Sequence, residues 1–275
     1  MTLLELLNAL IFGIIEGITE WLPISSTGHM ILVEKFITLS TNHDFMEMFR
    51  VVIQLGAIFA VVVLFWNKIF PFKMKEKQLA IDMDIMTLWF KILVASVPAA
   101  IVGLLFDDWL DAHFYNFQTV SITLIIYGIL FIVVENWNKS RSPKINSLQE
   151  LTYQTALIIG IFQLLALIPG TSRSGATIVG ALLIGVSRTV AAEFTFYLAI
   201  PVMFGASLLK LLRFGMNFQT NEVFILLIGM VSAFIVSVIA IKFLLGYIKK
   251  HDFKVFGYYR IILGIILIGY MFFAG

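Results

Sequence analysis

Two short stretches of the chain carry polar side chains suited to handling phosphate, although apolar residues surround both. The first reads EGITEWLPISSTGH and begins at Glu16. Glu16 and Glu20 lie four residues apart, so on a helix they share one face. Two carboxylates on one face near the middle of a membrane can bind a divalent cation, or one can hold a proton for the other. The alternative is a shallow segment in which both glutamates face water.

The same stretch continues with three consecutive hydroxyl side chains, followed by a glycine and a histidine. Ser25, Ser26 and Thr27 could hold phosphate oxygens or supply a nucleophile. His29 could act as an acid, a base or an orienting group. Ser26 is the preferred nucleophile, with an activated water as the alternative, and Glu20 is the candidate base. The structural alternative is a helix cap, in which Ser26 or Thr27 satisfies backbone N–H groups.

The second stretch reads PGTSRSGAT and begins at Pro169. A turn rich in glycine and serine that opens into a helix presents backbone N–H groups to an anion. Arg173 adds a planar fork that can bind two phosphate oxygens at once, and the hydroxyls of Ser172 and Ser174 flank it. The structural alternative is an Arg173 that pairs with a glutamate of the first stretch merely to hold two parts of the chain together. The sequence has no GxxxxGK[ST] motif, so a nucleotide P-loop is not supported.

Composition places these stretches in a membrane protein. Of the 275 residues, 60% are hydrophobic and 13% are charged, and the mean hydropathy is +0.97, whereas a soluble domain carries about 25% charged residues. The apolar residues gather into six runs, each about long enough to cross a bilayer as a helix. Six runs of this kind could not all be buried in one small soluble core. A net charge of +2 without a basic arm gives no support for nucleic-acid binding, and the absence of cysteine excludes thiol chemistry. The predicted spans are Val51–Trp66, Leu88–Phe106, Thr119–Val134, Ala191–Leu212, Val223–Leu245 and Ile261–Phe273.

The charges between the spans predict the topology. Lysine and arginine in short loops mark the cytoplasmic side, and they concentrate after Trp66, after Val134 and after Leu245. The segment after Phe106 is acidic instead and is interpreted as a solvated loop that holds Asp107, Asp108 and Asp111. The three basic loops share one face only if residues 9–35 and 153–187 enter the membrane and return. The predicted fold class is therefore all-α polytopic, with six transmembrane helices and two re-entrant helical hairpins.

The two hairpin segments also resemble each other. At a constant offset of 147 residues, Gly13 matches Gly160, Ser25 matches Ser172 and Gly28 matches Gly175. We expect one integral membrane domain over residues 1–275, with one repeat at about 1–138 and a second at about 150–275. Each repeat would contain three spans, an odd number, so the second copy is inverted, and such repeats place a site near the midplane where broken helices meet. An acidic half that faces a cationic half suits phosphoryl transfer.

The two stretches together resemble the signature segments of the undecaprenyl-diphosphatase family, the bacitracin-resistance phosphatases of bacterial envelopes, and the likeness covers essentially the whole chain. The resemblance implies hydrolysis of undecaprenyl diphosphate to undecaprenyl phosphate and inorganic phosphate in the bacterial inner membrane. That reaction recycles the lipid carrier of peptidoglycan and other envelope polymers. It also implies a divalent cation, Mg²⁺ or Ca²⁺. The functional residues then fall on Glu16, Glu20, Ser25, Ser26, Thr27, His29, Ser172, Arg173, Ser174 and Thr177, and Gly170 is added at the second break.

From these residues we expect Glu20, Ser26, His29 and Arg173 to be catalytic, and Glu16 with Glu20 to hold the metal. The expected partners are undecaprenyl diphosphate and the lipid bilayer, with no nucleic acid, and the sequence is compatible with a homodimer. The competing hypothesis is a transporter or flippase for a phosphorylated polyprenyl lipid, since inverted repeats with re-entrant segments are also a transporter architecture. A structural subunit of an envelope-synthesis complex is a third option, but it leaves the intramembrane Glu–Ser–Arg set unexplained.

Overall fold

Long apolar segments in a membrane must satisfy their backbone polar groups internally, and a helix does this within one segment. The computed structural model describes residues 2–39, 43–75, 78–215 and 218–274, which form twelve helices and one small sheet. The helices are α1 (Leu3–Thr19), α2 (Ser26–Val33), α3 (His43–Val52), α4 (Gln54–Leu64), α5 (Trp66–Ile69), α6 (Met83–Phe114), α7 (Phe117–Asn138), α8 (Tyr153–Gln163), α9 (Arg173–Leu183), α10 (Arg188–Phe214), α11 (Thr220–Ile248) and α12 (Lys254–Ala274).

Six segments of the described chain are long and apolar enough to cross a membrane, which confirms the predicted number. They are His43–Leu64, Met83–Phe106, Phe117–Asn138, Arg188–Phe214, Thr220–Ile248 and Lys254–Phe273. Most begin or end several residues beyond the predicted limits, because helices continue through the polar residues that flank an apolar run. The first span consists of α3 and α4, which are separated at Ile53.

Two connections differ from the sequence-based expectation. The segment after Phe106 is helical, since α6 continues to Phe114, so the prediction of a loop there was wrong. The side chains of Asp107, Asp108 and Asp111 lie outside the described residues. Between α5 and α6 the chain forms an antiparallel hairpin of β1 (Phe72–Lys75) and β2 (Gln78–Ile81), where Phe72 pairs with Ile81. Neither difference changes the number of apolar spans.

Two helix–break–helix segments, α1–α2 and α8–α9, are built alike. A 3₁₀ turn (Leu164–Leu167) follows α8, and proline lies in each break, where it cannot continue a helix. Ser25 and Ser172 are the two non-glycine residues with positive φ in the described chain, at 74° and 73°. Each accepts a hydrogen bond on its Oγ from the backbone N–H three residues later, at 3.2 and 3.1 Å. Both breaks therefore end in a strained serine cap.

Small residues let the helices of these segments approach their neighbours closely. Helix α1 packs along α11 and α8 packs along α6. A Cβ atom at Gly13 would collide with Ser232, and one at Gly160 would collide with the backbone of Ala95. Small residues at helix contacts are typical of membrane proteins, in which close packing replaces the hydrophobic driving force. These contacts fix the two breaks relative to the long helices.

We predict that Gly160→Ala destabilises the protein. The added methyl meets the backbone of Ala95, which cannot rotate away, so overpacking costs about 1–3 kcal/mol. The matched control is Gly205→Ala in α10, where no atom lies within 4 Å of the new Cβ, and where alanine should be neutral or stabilising by about 0.5–1 kcal/mol. Thermal unfolding in detergent measures both. Equal midpoints for the two variants would contradict this account of α8 packing.

Candidate active site

The two breaks meet at a buried ion pair. Arg173 Nη2 donates to Glu20 Oε1 at 2.8 Å, and its Nε donates to the same oxygen at 3.3 Å. The side chains are 11% and 7% exposed. Ser174 Oγ also donates to the Glu20 carbonyl oxygen at 3.1 Å. Residues 153 positions apart in the sequence therefore share one hydrogen-bond network.

Ser26 completes this network from the first turn of α2. Its Oγ donates to Glu20 Oε2 at 2.7 Å, in a buried position. One oxygen of Glu20 thus faces an arginine and the other faces a hydroxyl. A hydroxyl within hydrogen-bond reach of a carboxylate, which a third group orients, is the arrangement of an activated nucleophile. The pairing of Arg173 with Glu20 was also the structural alternative for Arg173, and the geometry satisfies both interpretations.

Glu16 is the least satisfied carboxylate of the site. It is 1% exposed, and its Oε1 has no hydrogen-bond partner in the described residues. Glu16 lies one turn before Glu20, whose N–H donates to the Glu16 carbonyl oxygen at 3.0 Å. A buried carboxylate oxygen without a partner is costly. Glu16 is therefore the group that a bound cation or a substrate proton would satisfy best.

A cavity of about 550 Å³ gives access to this cluster, and Glu16, Ser26, Thr27 and Gln54 line its inner part. Its outer part is formed by the start of α3, the α6–α7 connection and the last turns of α10. Two ion pairs stand there, Arg50 with Glu34 and Lys210 with Glu47. All of these chain segments lie at the end of the helices opposite the three basic connections. Gln54, the first residue of α4, is thus a cavity residue.

The remaining hydroxyls mostly shape the backbone. Ser25 and Ser172 serve as the caps described above, so the suggested cap at Ser26 or Thr27 was wrong for this helix. Ser172 Oγ also lies 3.1 Å from Ser174 Oγ. Thr177, which is fully buried, contacts Thr195 Oγ1 at 2.9 Å and so joins α9 to α10. Of the predicted substrate-binding residues, Thr27 is the one that lines the 550 Å³ cavity.

Gly170 has a backbone role. Its φ of 87° favours glycine, and a Cβ atom there would lie 2.8 Å from the backbone of Val120. Thr123 Oγ1 donates to the carbonyl oxygen of the preceding Pro169 at 2.8 Å. The second break is therefore held against α7. Gly170 allows this close approach because it has no side chain.

His29 points away from the Glu20 network. Its Nδ1 lies 2.7 Å from the Ser25 carbonyl oxygen, which can only accept, so Nδ1 carries a proton. In a neutral ring Nε2 then accepts from the Tyr259 hydroxyl at 2.7 Å, and the two rings stack with centroids 5.6 Å apart. None of the described hydrogen bonds joins the His29 side chain to Glu20, Ser26 or Arg173. Of the proposed roles for His29, orientation of the first break fits these contacts.

Arg260 is the main site residue that the sequence interpretation missed. It is fully buried, and its Nη1 donates to the Pro23 carbonyl oxygen at 3.2 Å. Its Nη2 donates to the carbonyl oxygens of Gly170 at 2.8 Å and Thr171 at 2.9 Å. One guanidinium therefore joins both breaks. The available signal was an arginine within a membrane span, but the predicted span began at Ile261, whereas α12 begins at Lys254.

Glu193, near the start of α10, does not belong to the Glu20 network. It pairs with Lys68 at 3.0 Å, and both line a separate cavity at the basic end of the molecule. Its position next to a hairpin in sequence does not bring it to the Glu20 network. Among the described residues, no group of three or more histidine, cysteine, aspartate or glutamate side chains is arranged to hold a metal ion.

Comparison with known proteins adds independent information. The family model described as "Bacitracin resistance protein BacA" matches residues 9–266, a range that includes both breaks and Arg260. The undecaprenyl-diphosphatase of Acetivibrio thermocellus is 65% identical over 268 residues, which is 98% of each chain. That of Desulfitobacterium hafniense is 65% identical over 271 residues, 98% of this chain and 97% of its own. An undecaprenyl-diphosphatase of Enterococcus faecalis is 63% identical over 266 residues, 96% of each chain.

Proposed function

This chain belongs to the bacitracin resistance protein BacA family, and from that premise we propose that it is a phosphatase that hydrolyses undecaprenyl diphosphate to undecaprenyl phosphate and inorganic phosphate. The family and the names of its relatives supply the substrate. The observation that carries the chemistry is the Ser26 hydroxyl on one oxygen of Glu20, with Arg173 on the other. This reaction regenerates the lipid carrier on which envelope polymers are built, and it confers resistance to bacitracin.

In the proposed reaction the diphosphate occupies the 550 Å³ cavity beside Ser26 and Thr27. Ser26 Oγ attacks the distal phosphorus while its proton passes to Glu20 Oε2. The bond between that phosphorus and the bridging oxygen breaks, and undecaprenyl phosphate leaves. Water then hydrolyses the phosphoserine, which restores the Ser26 hydroxyl and releases inorganic phosphate. Direct attack by water, with Glu20 as its base, is the alternative.

The side chains present fit a divalent cation that is held jointly with the substrate. Mg²⁺ is usually bound by one or two carboxylates together with water and substrate phosphates. Glu16 offers an unpartnered oxygen, and Glu20 lies one turn away. We propose that these two glutamates hold Mg²⁺ or Ca²⁺, or that Glu16 holds the ion together with the substrate while Glu20 serves as the base. When bound, the ion would neutralise charge on the phosphate oxygens.

Arg173→Lys tests the proposed function. A lysine ammonium keeps the charge but cannot reproduce the fork that reaches Glu20 and the Thr195 carbonyl oxygen. We expect kcat for phosphate release from undecaprenyl diphosphate to fall about 100-fold. The matched control is Arg188→Lys, because Arg188 forms an equivalent pair with Glu135 outside this site. If Arg173→Lys released phosphate as fast as Arg188→Lys, Arg173 would have no role in the reaction.

We also propose how the chain is arranged in the membrane. The matched serine caps at Ser25 and Ser172, and the matched helix contacts at Gly13 and Gly160, support two re-entrant hairpins in an inverted repeat. We place the protein in the bacterial inner membrane with its basic connections in the cytoplasm. The 550 Å³ cavity then opens on the outer face. A homodimer stays a prediction. The mass of the protein part of the protein–detergent complex would check it.

The enzyme is favoured over a flippase by an asymmetry between the halves. At the repeat offset, Glu47 and Arg50 of the cavity correspond to Phe194 and Tyr197, both of which are fully buried. The second half therefore has buried aromatic rings at the two positions where the first half has a glutamate and an arginine that line its cavity. Alternating access needs the site to open to both faces in turn. The names of the relatives point the same way, since they are diphosphatases.

A further inference from the structure

A second large cavity lies at the opposite end of the molecule from the Glu20 network. Its volume is about 980 Å³, and it lies between the end of α7, the α7–α8 connection, the α9–α10 turn and the end of α11. None of the residues proposed to act in the reaction lines this cavity. Five cationic side chains line it, namely Lys139, Arg141, Lys144, Arg188 and Lys249.

The charge of this cavity is unbalanced. Glu135 is the one carboxylate in its described lining, and it is fully buried. Glu135 accepts from Arg188 Nε at 2.9 Å and from the Phe253 N–H at 3.0 Å, so this pair neutralises itself. The other four cationic side chains have no carboxylate at ion-pair distance among the described residues. The positive-inside rule explains basic residues in these connections, but not their convergence on one cavity.

Two of the cationic residues have contacts that restrict their positions. The Arg141 guanidinium lies over the Trp137 ring, 3.7 Å from its centroid. The backbone N–H of Lys144 donates to the Gly185 carbonyl oxygen at 2.8 Å, and the aliphatic stem of Lys144 lies against Gly185. Fixed cations lose less conformational entropy when they bind an anion than freely moving ones do. The Arg141 guanidinium and the chain segment that carries Lys144 are therefore positioned before any ligand arrives.

The floor of the cavity adds two further features. Helix α10, which is 27 residues long, begins there, and Ser187 makes no side-chain capping bond to its first turn. The positive end of a helix favours a negative group nearby. Leu182, Leu183 and Ile248 form an apolar part of the same lining. A ligand with an anionic head and an apolar body would satisfy both the rim and the floor.

We propose that this basic cavity binds a phosphate-bearing anion, the phosphodiester or phosphomonoester head of an acidic membrane lipid. Free inorganic phosphate has the same chemistry and is the other source that the experiment must separate. The site would act at the face opposite the 550 Å³ cavity, and the inference does not depend on the proposed hydrolysis.

The test compares two double variants with the same loss of charge. Lys144→Gln with Lys249→Gln removes two cations from the cavity, and Lys242→Gln with Lys250→Gln removes two exposed lysines of the same helix end that do not line it. Short-chain phosphatidylglycerol and phosphatidylcholine are titrated against the full-length protein in neutral detergent, and native mass spectrometry counts the bound lipid. Each lysine near an anionic lipid contributes about 1 kcal/mol, so the cavity variant should bind phosphatidylglycerol roughly 20- to 30-fold more weakly.

The control double variant should change that affinity less than about threefold, and phosphatidylcholine should bind weakly to all three proteins. Inorganic phosphate is added as a competitor: displacement at low millimolar concentration assigns the site to free phosphate, and persistence of the lipid assigns it to the head group. Equal weakening in both double variants, or equal binding of the two lipids by the wild type, would overturn the proposal. Phosphate release from undecaprenyl diphosphate by the cavity variant should stay at the wild-type rate, which separates this site from the catalytic one.

Discussion

Ser26→Ala should reduce phosphate release from undecaprenyl diphosphate by about 1,000-fold or more, because it removes the attacking oxygen. The hydroxyl is buried and donates to Glu20 at 2.7 Å, so no neighbouring hydroxyl can take the same place without moving the break. Thr27 follows it in the chain and lines the same cavity, but it has no bond to Glu20 among the contacts described. The Arg173–Glu20 pair does not involve Ser26, so the variant should stay folded.

The matched control is Ser121→Ala. Ser121 is also fully buried, and its hydroxyl donates to the Phe117 carbonyl oxygen within α7 at 2.7 Å, away from Glu20. Its variant should keep phosphate release within about threefold of the wild type, since the loss of one hydrogen bond within a helix costs about 1 kcal/mol of stability and no catalytic group. If Ser26→Ala retained a tenth of wild-type turnover, water would be the nucleophile and Ser26 would only position it.

Arg260→Met should impair both stability and turnover. Methionine keeps the apolar stem but leaves the carbonyl oxygens of Pro23, Gly170 and Thr171 without their donor. Each orphaned buried acceptor costs about 1–3 kcal/mol, and relief from burying a cation offsets part of that. The larger effect is geometric, because both breaks lose their common anchor. A displacement of about 1 Å at a reacting group can cost about 100-fold in rate.

The two effects are separated by measuring kcat well below the unfolding midpoint of each variant. We expect kcat of Arg260→Met to fall about 100-fold even where the protein is fully folded. Arg260→Lys, which can supply a donor to one carbonyl group but not to all three, should lie between Met and the wild type. Folded Arg260→Met with wild-type kcat would show that the breaks hold each other through the Glu20–Arg173 pair alone.

Much of the fold was accessible from the sequence because membranes impose simple rules. Apolar length gave the six spans. The pairing of Arg173 with a glutamate of the first stretch was open to the sequence as the structural alternative to phosphate binding, because either charge alone is costly in an apolar setting. Span limits were less accurate, since Lys254–Arg260 and His43–Arg50 are polar enough to look like connections, yet they are helical.

The roles of individual polar residues were harder to predict, because they depend on backbone conformation. Three adjacent hydroxyls look equivalent in the sequence. A positive φ at Ser25 turns its oxygen to the helix N-terminus and leaves Ser26 to face Glu20. His29 was expected in the catalytic set, but its partner is Tyr259, 230 residues away and inside another helix. No local pattern indicates such a contact.

The most direct test of the central claim is phosphate release from undecaprenyl diphosphate by the purified wild-type protein in detergent, with Mg²⁺ or Ca²⁺ and with EDTA as the metal-free control. We predict one inorganic phosphate and one undecaprenyl phosphate for each substrate molecule consumed, with release lost in Ser26→Ala and kept in Ser121→Ala. Folded wild-type protein that releases no phosphate with either metal would contradict the account. The buried Glu20–Ser26–Arg173 network would then be a lipid-phosphate binding site without hydrolysis.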